Sequence, residues 1–221
     1  MKKEVTSNKH GQALGPKGHA TRMRLLSAAE RLLETKSPVD LTAVSIAKEA
    51  KTSSATFYMY FDDVRDILFA LSMVAGAEVA EAMQTHEKSK RDGSAEERAA
   101  QLVKTFNKVW NKHRHVLRYR NMESDREDEA FERLRIEAYQ RELAIIVNLL
   151  RGDDPEEERV TYGDAFALAS VLHAAMEKLA SLDPEIVRRG IGMKRFIAAQ
   201  ARIIAQAMED TPKWGRLPIG K

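Results

Sequence analysis

The stretch Leu41–Phe61, LTAVSIAKEAKTSSATFYMYF, constrains this chain more than any other. It reads as two short helices joined by a tight turn. Thr42 suits the cap of the first, because its hydroxyl can accept from backbone N–H groups that the first turn leaves without partners. Val44, Ile46, Ala47 and Ala50 place small apolar groups at helical spacing, and Ala47 permits a close helix crossing. Lys51-Thr52-Ser53 is the turn, with Ser53 as cap of a second helix from Ser54 to Tyr60. So short a helix does not hold alone in water. It must lean on its neighbours through Phe57 and Phe61, four residues apart on one face. The other face shows Ser54, Ala55, Thr56, Tyr58, Met59 and Tyr60, small or hydrogen-bonding groups without an acid among them. A helix-turn-helix with such an outward face suits insertion into the major groove of DNA.

With Arg22 to Leu33 ahead of it, this stretch resembles the N-terminal domain of TetR-family transcriptional regulators. The resemblance rests on Ile46-Ala47 followed by Thr56-Phe57-Tyr58-Met59-Tyr60-Phe61, and it covers about 50 residues. It implies a homodimer that binds a palindromic operator, most often a repressor, and a divergent C-terminal half that binds a small-molecule effector. Lys51-Thr52 stand where the family usually has Gly-Val. Val64 stands where a lysine often touches a phosphate, with Arg65 next to it. On this reading Ser54, Thr56, Tyr58 and Met59 are the candidates for base contact. Thr42, Lys48, Ser53, Tyr60 and Arg65 are the candidates for phosphate contacts, which position the protein without specifying sequence.

Charge distribution points the same way. Residues 1–60 hold ten Lys/Arg against five Asp/Glu, and residues 61–221 hold 26 against 28. The positive end therefore coincides with the DNA reader. Residues 1–20 carry Lys2, Lys3, Lys9 and Lys17 among Gly11, Gly15, Pro16 and Gly18 without hydrophobic periodicity, which predicts a flexible basic arm. The chain has no cysteine, which excludes disulfides, zinc fingers and thiol chemistry and fits a reducing cytoplasm. No apolar run approaches the length that spans a bilayer.

Beyond the arm the pattern is all-α: a three-helix helix-turn-helix domain over 21–66 and a larger helical domain over 67–221 for ligand binding and dimerisation. Leu25, Leu26, Ala29, Leu32 and Leu33 define a first helix from Thr21 to about Lys36. Asp62-Asp63 cap a helix from Val64 to about Glu87, roughly 36 Å long by helical rise, which can connect the reader to the C-terminal helices. Lys88–Ser94 reads as a loop, Ala95–Lys112 as a helix, and Val116–Met122 as a short helix or turn. Ser124-Asp125 read as the cap of a helix reaching Leu150. Asp154-Pro155-Glu156 and Asp183-Pro184-Glu185 read as starts of helices over 155–180 and 184–208. Both of the last two are apolar on more than one stripe, so both need cover on more than one side. Pairing of two copies over 155–208 supplies it, and an interior place in a larger bundle is the alternative. Gly190 and Gly192 weaken the final helix and mark a kink or a close approach. The tail from Thr211 reads as irregular.

No catalytic or cofactor signature occurs. There is no GxSxG, no phosphate-binding glycine loop and no HExxH, and Gly190–Gly192 lacks a preceding strand. His113 and His115 point about 200° apart on a helix, so no shared metal is expected. Phe106, Trp110, Tyr139, Phe166, His173 and Met176 are the candidates for lining an apolar effector site, with plain core as the other reading of an aromatic and Met stripe at helical spacing. Two other readings stay open: a helical ligand-binding or scaffold protein whose reader does not bind DNA, and a sequence-independent chromosome binder led by the basic arm.

Overall fold

The computed structural model describes residues 13–89, 93–152 and 161–210. These form ten α-helices and one 3-10 turn. The chain divides into two compact units that are discontinuous in sequence. One holds the N-terminal residues to Ala75 with His115–Leu134; the other holds Gly76–Arg114 with the chain from Arg135 onward. Residues 115–134 thus pack with the N-terminal helices, although they lie well beyond position 66 in the chain.

In the first unit, α1 (Pro16–Leu33) starts five residues earlier than the apolar pattern indicates. Pro16 is the reason: its fixed φ suits the first helical position, where the missing N–H costs nothing. The part of the basic arm before Ala13 lies outside the described residues. After the 3-10 turn Pro38–Asp40 come α2 (Ala43–Glu49) and α3 (Ser54–Tyr60). Leu25, Ala28, Ala29, Ile46, Ala47 and Phe57 are buried among these three helices. Val44 is not part of that core; it stands 64% exposed.

Helix α4 (Val64–Ser89) begins as the two aspartates indicate. Asp63 Oδ1 accepts from the Asp66 N–H at 2.8 Å, and Asp66 Oδ2 accepts from the Asp62 N–H at 3.1 Å. Helix α6 (Arg114–Asp125) is followed by α7 (Glu129–Arg151), and here the capping expectation is corrected. Ser124-Asp125 close α6 instead of opening α7. A turn through Glu127, at φ 65°, separates the two helices, and Asp128 is the cap: its Oδ1 accepts from the N–H groups of Ala130 and Phe131 at 3.0 and 3.2 Å.

In the second unit, α5 (Ala95–Lys112) opens on a capping box between Ser94 and Glu97. It packs along α10 (Met193–Asp210) and also against α8 (Tyr162–Ser181). Thr161 caps α8; the Asp154-Pro155-Glu156 start signal lies outside the described residues. So do residues 90–92 of the expected loop and the tail from Thr211. Arg114 donates to the carbonyls of Ala180 and Ser181 at 3.3 and 2.9 Å, closing the C-terminal end of α8. The last long helix expected from sequence is two. Asp183 and Pro184 start α9, which runs only from Pro184 to Arg189. The chain then turns through Gly190 and Gly192, the latter at φ 80°, before α10 begins. Only glycine adopts that φ at little cost, so the pair ends one helix and redirects the chain into the next.

Candidate nucleic-acid interface and buried ring cluster

The reader is built from its anchors outward. Phe57 is fully buried and Phe61 nearly so, their rings 5.7 Å apart. The Arg22 guanidinium of α1 lies 5.2 Å over the Phe61 ring. Burial pulls that guanidinium below the ordinary arginine range, with Asp66 opposing the shift. Between α2 and α3 the turn is tight. Ala47 accepts from the Thr52 N–H at 2.9 Å, and Lys51 takes φ 55°, the left-handed conformation that glycine adopts most readily.

Both caps form. Thr42 Oγ1 accepts from the Ser45 N–H at 3.0 Å. Ser45 Oγ accepts in turn from the Thr42 N–H at 3.1 Å, a reciprocal box that the sequence reading missed. Ser53 Oγ accepts from the Thr56 N–H at 3.1 Å and lies 3.0 Å from Thr56 Oγ1. Tyr58 and Met59 stand outward at 48% and 51% exposure, Thr42, Lys48 and Ser53 are exposed, and Ser54 and Thr56 are half-buried. Tyr60 leans back toward α1, its hydroxyl 3.6 Å from where a Cβ on Gly18 would stand. Arg65 points elsewhere. Its guanidinium is engaged by Asp128, with Nε and Nη2 donating to Oδ2 at 3.2 and 2.5 Å. That bond holds Arg65 above its ordinary range and the Asp128 carboxyl below its own.

In the second unit the ring candidates partly converge. Phe106, Trp110, His173 and Met176 are all buried. The His173 ring meets Phe106 edge-on at 5.8 Å and Tyr139 at 4.6 Å. Phe166 is elsewhere: it stacks on Tyr162 at 6.1 Å and is 37% exposed. Three charged residues that the sequence reading passed over join the cluster. His173 Nε2 lies 2.5 Å from Glu142 Oε2, Tyr139 Oη donates to Glu177, and Arg135 Nε donates to Tyr139 Oη at 2.9 Å. Desolvation, then the neighbouring Glu177, pushes the Tyr139 phenol well above its usual range. Spacing was the available signal: Arg135, Tyr139 and Glu142 share one face of α7, as His173 and Glu177 do of α8.

His113 turns inward to Glu78, 2.9 Å away, while His115 is exposed. Among the described residues no three His, Cys, Asp or Glu gather as a metal site, and no helix is long and apolar enough to cross a membrane.

An all-helical chain with an exposed, acid-free reader on a three-helix base has the form of a helix-turn-helix DNA-binding regulator. Residues 25–71 match the bacterial regulatory proteins, tetR family, and over that stretch the chain is similar to TetR-family transcriptional regulators. Solved structures share the fold across nearly the whole chain. A tetR-family transcriptional regulator from Streptomyces coelicolor superposes with a TM-score of 0.63 at 16% identity, covering 90% of this chain and 80% of that one. FadR from Bacillus subtilis, in complex with stearoyl-CoA, gives 0.59 at 16% identity over 84% and 96%. A chain from Pseudomonas aeruginosa PAO1 gives 0.69 at 15% identity over 90% and 95%. A search of curated protein sequences found no match.

Proposed function

We propose that the chain is a homodimeric repressor that binds a palindromic operator and is released from it by an apolar small molecule. The observation that carries the DNA reading is the α3 surface: Tyr58 and Met59 stand outward on a helix without acids, while Phe57 holds it from beneath. Ser54, Thr56, Tyr58 and Met59 face base edges; Thr42, Lys48, Ser53 and Tyr60 bind phosphates.

Dimerisation is supported by the apolar groups left exposed on α8 and α10. Val171 is 68% exposed and Ile203 61%, and Tyr162, Phe166, Ala167, Ala174, Ala198 and Ala199 are exposed along the same helices. A second copy would cover them. The effector site is the cluster of Phe106, Trp110, Tyr139, His173 and Met176, and Phe166, stacked on Tyr162, stands apart from it. Its polar groups include two carboxylates, Glu142 and Glu177, so the orienting end of the ligand is a hydrogen-bond donor. FadR of Bacillus subtilis holds stearoyl-CoA; in this chain Glu142 is engaged by His173, and Glu177 by Tyr139 and Arg135.

The test is selection of bound sequences from a random duplex pool. Recovery of a palindrome with half-sites a whole number of helical turns apart supports the reading. Recovery of no preferred sequence, with salt-sensitive binding to every duplex, favours sequence-independent binding, and no binding at all removes the DNA assignment.

A further inference from the structure

We propose that Arg65 is a positioning residue for operator binding, clasped to Asp128, and not a phosphate contact; this rests on the DNA-binding reading above. Helix α4 starts at Val64, directly beyond the reader, so the direction of its first turn fixes where α3 ends. Arg65 projects from that turn. Both Nε and Nη2 donate to Asp128 Oδ2, and the guanidinium lies 5.3 Å over the Phe131 ring. Asp128 uses its other oxygen, Oδ1, to cap α7. One carboxylate therefore ties the first turn of α4 to the first turn of α7. The Phe131 ring continues the joint, meeting Phe69 of α4 at 5.3 Å and Tyr119 of α6 at 5.4 Å, both edge-on.

To reach a phosphate, Arg65 would have to abandon a charge-assisted fork and a ring face together. Left in place, it holds the base of the reader.

Salt dependence separates a clasp from a phosphate contact, because only the contact releases counterions. The full chain and its Arg65→Gln, Arg65→Lys, Asp128→Asn and Arg65→Gln/Asp128→Asn variants would be titrated against the duplex selected by the wild-type protein, over a range of salt. Thermal unfolding would check each variant's fold, and Asp128→Asn keeps an Oδ1 for the α7 cap. The clasp predicts that Arg65→Gln and Asp128→Asn weaken binding equally, by roughly two- to fivefold per subunit. The double variant should be no weaker than either single one, Arg65→Lys should not restore binding, and the salt slope should match the wild type. A slope lowered by about 0.9 per subunit in Arg65→Gln alone, restored by Arg65→Lys, would overturn the proposal. So would any loss in Arg65→Gln that Asp128→Asn does not reproduce, or no loss in either. A wild-type protein that binds no duplex overturns the DNA-binding reading itself, a distinguishable result.

Discussion

His173 of α8 and Glu142 of α7 meet at 2.5 Å between Nε2 and Oε2, both side chains almost wholly removed from water. Neither group is tolerated there without the other, because a buried polar group left without a partner bears its full desolvation cost. Glu142→Leu should therefore destabilise the chain by about 3 kcal/mol. Adding His173→Phe should recover part of that loss, since replacing both partners removes the orphan. Urea denaturation of the two single variants and the double one checks this; strictly additive losses would show that the pair does not act as a unit.

The dimer reading makes a choice of residues that the sequence alone does not. Leu172 and Ile197 lie on the apolar helices, but Leu172 is buried within the subunit, so a charge there would damage the fold. Val171 and Ile203 are exposed. Val171→Glu and Ile203→Glu should yield folded monomers with weakened operator binding, read by sedimentation and circular dichroism. Folded variants that remain dimeric would move the interface elsewhere.

Lys51 occupies a left-handed turn position at φ 55°. That conformation costs a residue with a Cβ about 1–2 kcal/mol, against about 0.5–1 kcal/mol of extra chain entropy for glycine. Lys51→Gly should thus raise stability by about 0.5–1 kcal/mol while leaving the α3 face unchanged. A measured loss of stability would mean that the lysine side chain makes a contribution larger than the strain.

Alkaline pH should weaken the fold through two tyrosines. Burial pushes the Tyr119 phenol from 10.0 up to about 12, and Tyr139 is raised further by burial and Glu177. The folded chain then holds these protons more tightly than the unfolded chain. Their stabilisation is complete below about pH 10 and falls as pH rises from about 10 towards 12 and beyond. Unfolding curves across that window should show the fall, and it should shrink in Tyr119→Phe and Tyr139→Phe. Equal pH dependence in the variants would assign the alkaline loss to other groups.

Local signals were legible because local chemistry decides them. Thr42, Ser53 and Asp63 cap helices through hydroxyl and carboxylate oxygens within three residues, so the boundaries of α2, α3 and α4 follow from adjacent residues. The apolar spacing of Phe57 and Phe61 sufficed to place the buried side of α3. Where two signals competed, the reading failed. Ser124-Asp125 and Asp128 all resemble caps, and the left-handed turn at Glu127 selected Asp128. Gly190 and Gly192 were visible as weak points, but the full break between α9 and α10 depends on the φ that Gly192 adopts.

By itself the sequence determined the helical class, the helix-turn-helix and its acid-free face, since periodicity, caps and residue type act over a few positions. Only the tertiary structure decided which partners distant residues take. Arg65 reads as a basic group beside the reader until folding brings Asp128, 63 positions on, against it. Glu142 and Glu177 carry no signal in the sequence until α7 and α8 enclose them with His173 and Tyr139. A charge's role depends on what replaces its water, and that is set by packing between segments far apart in the chain.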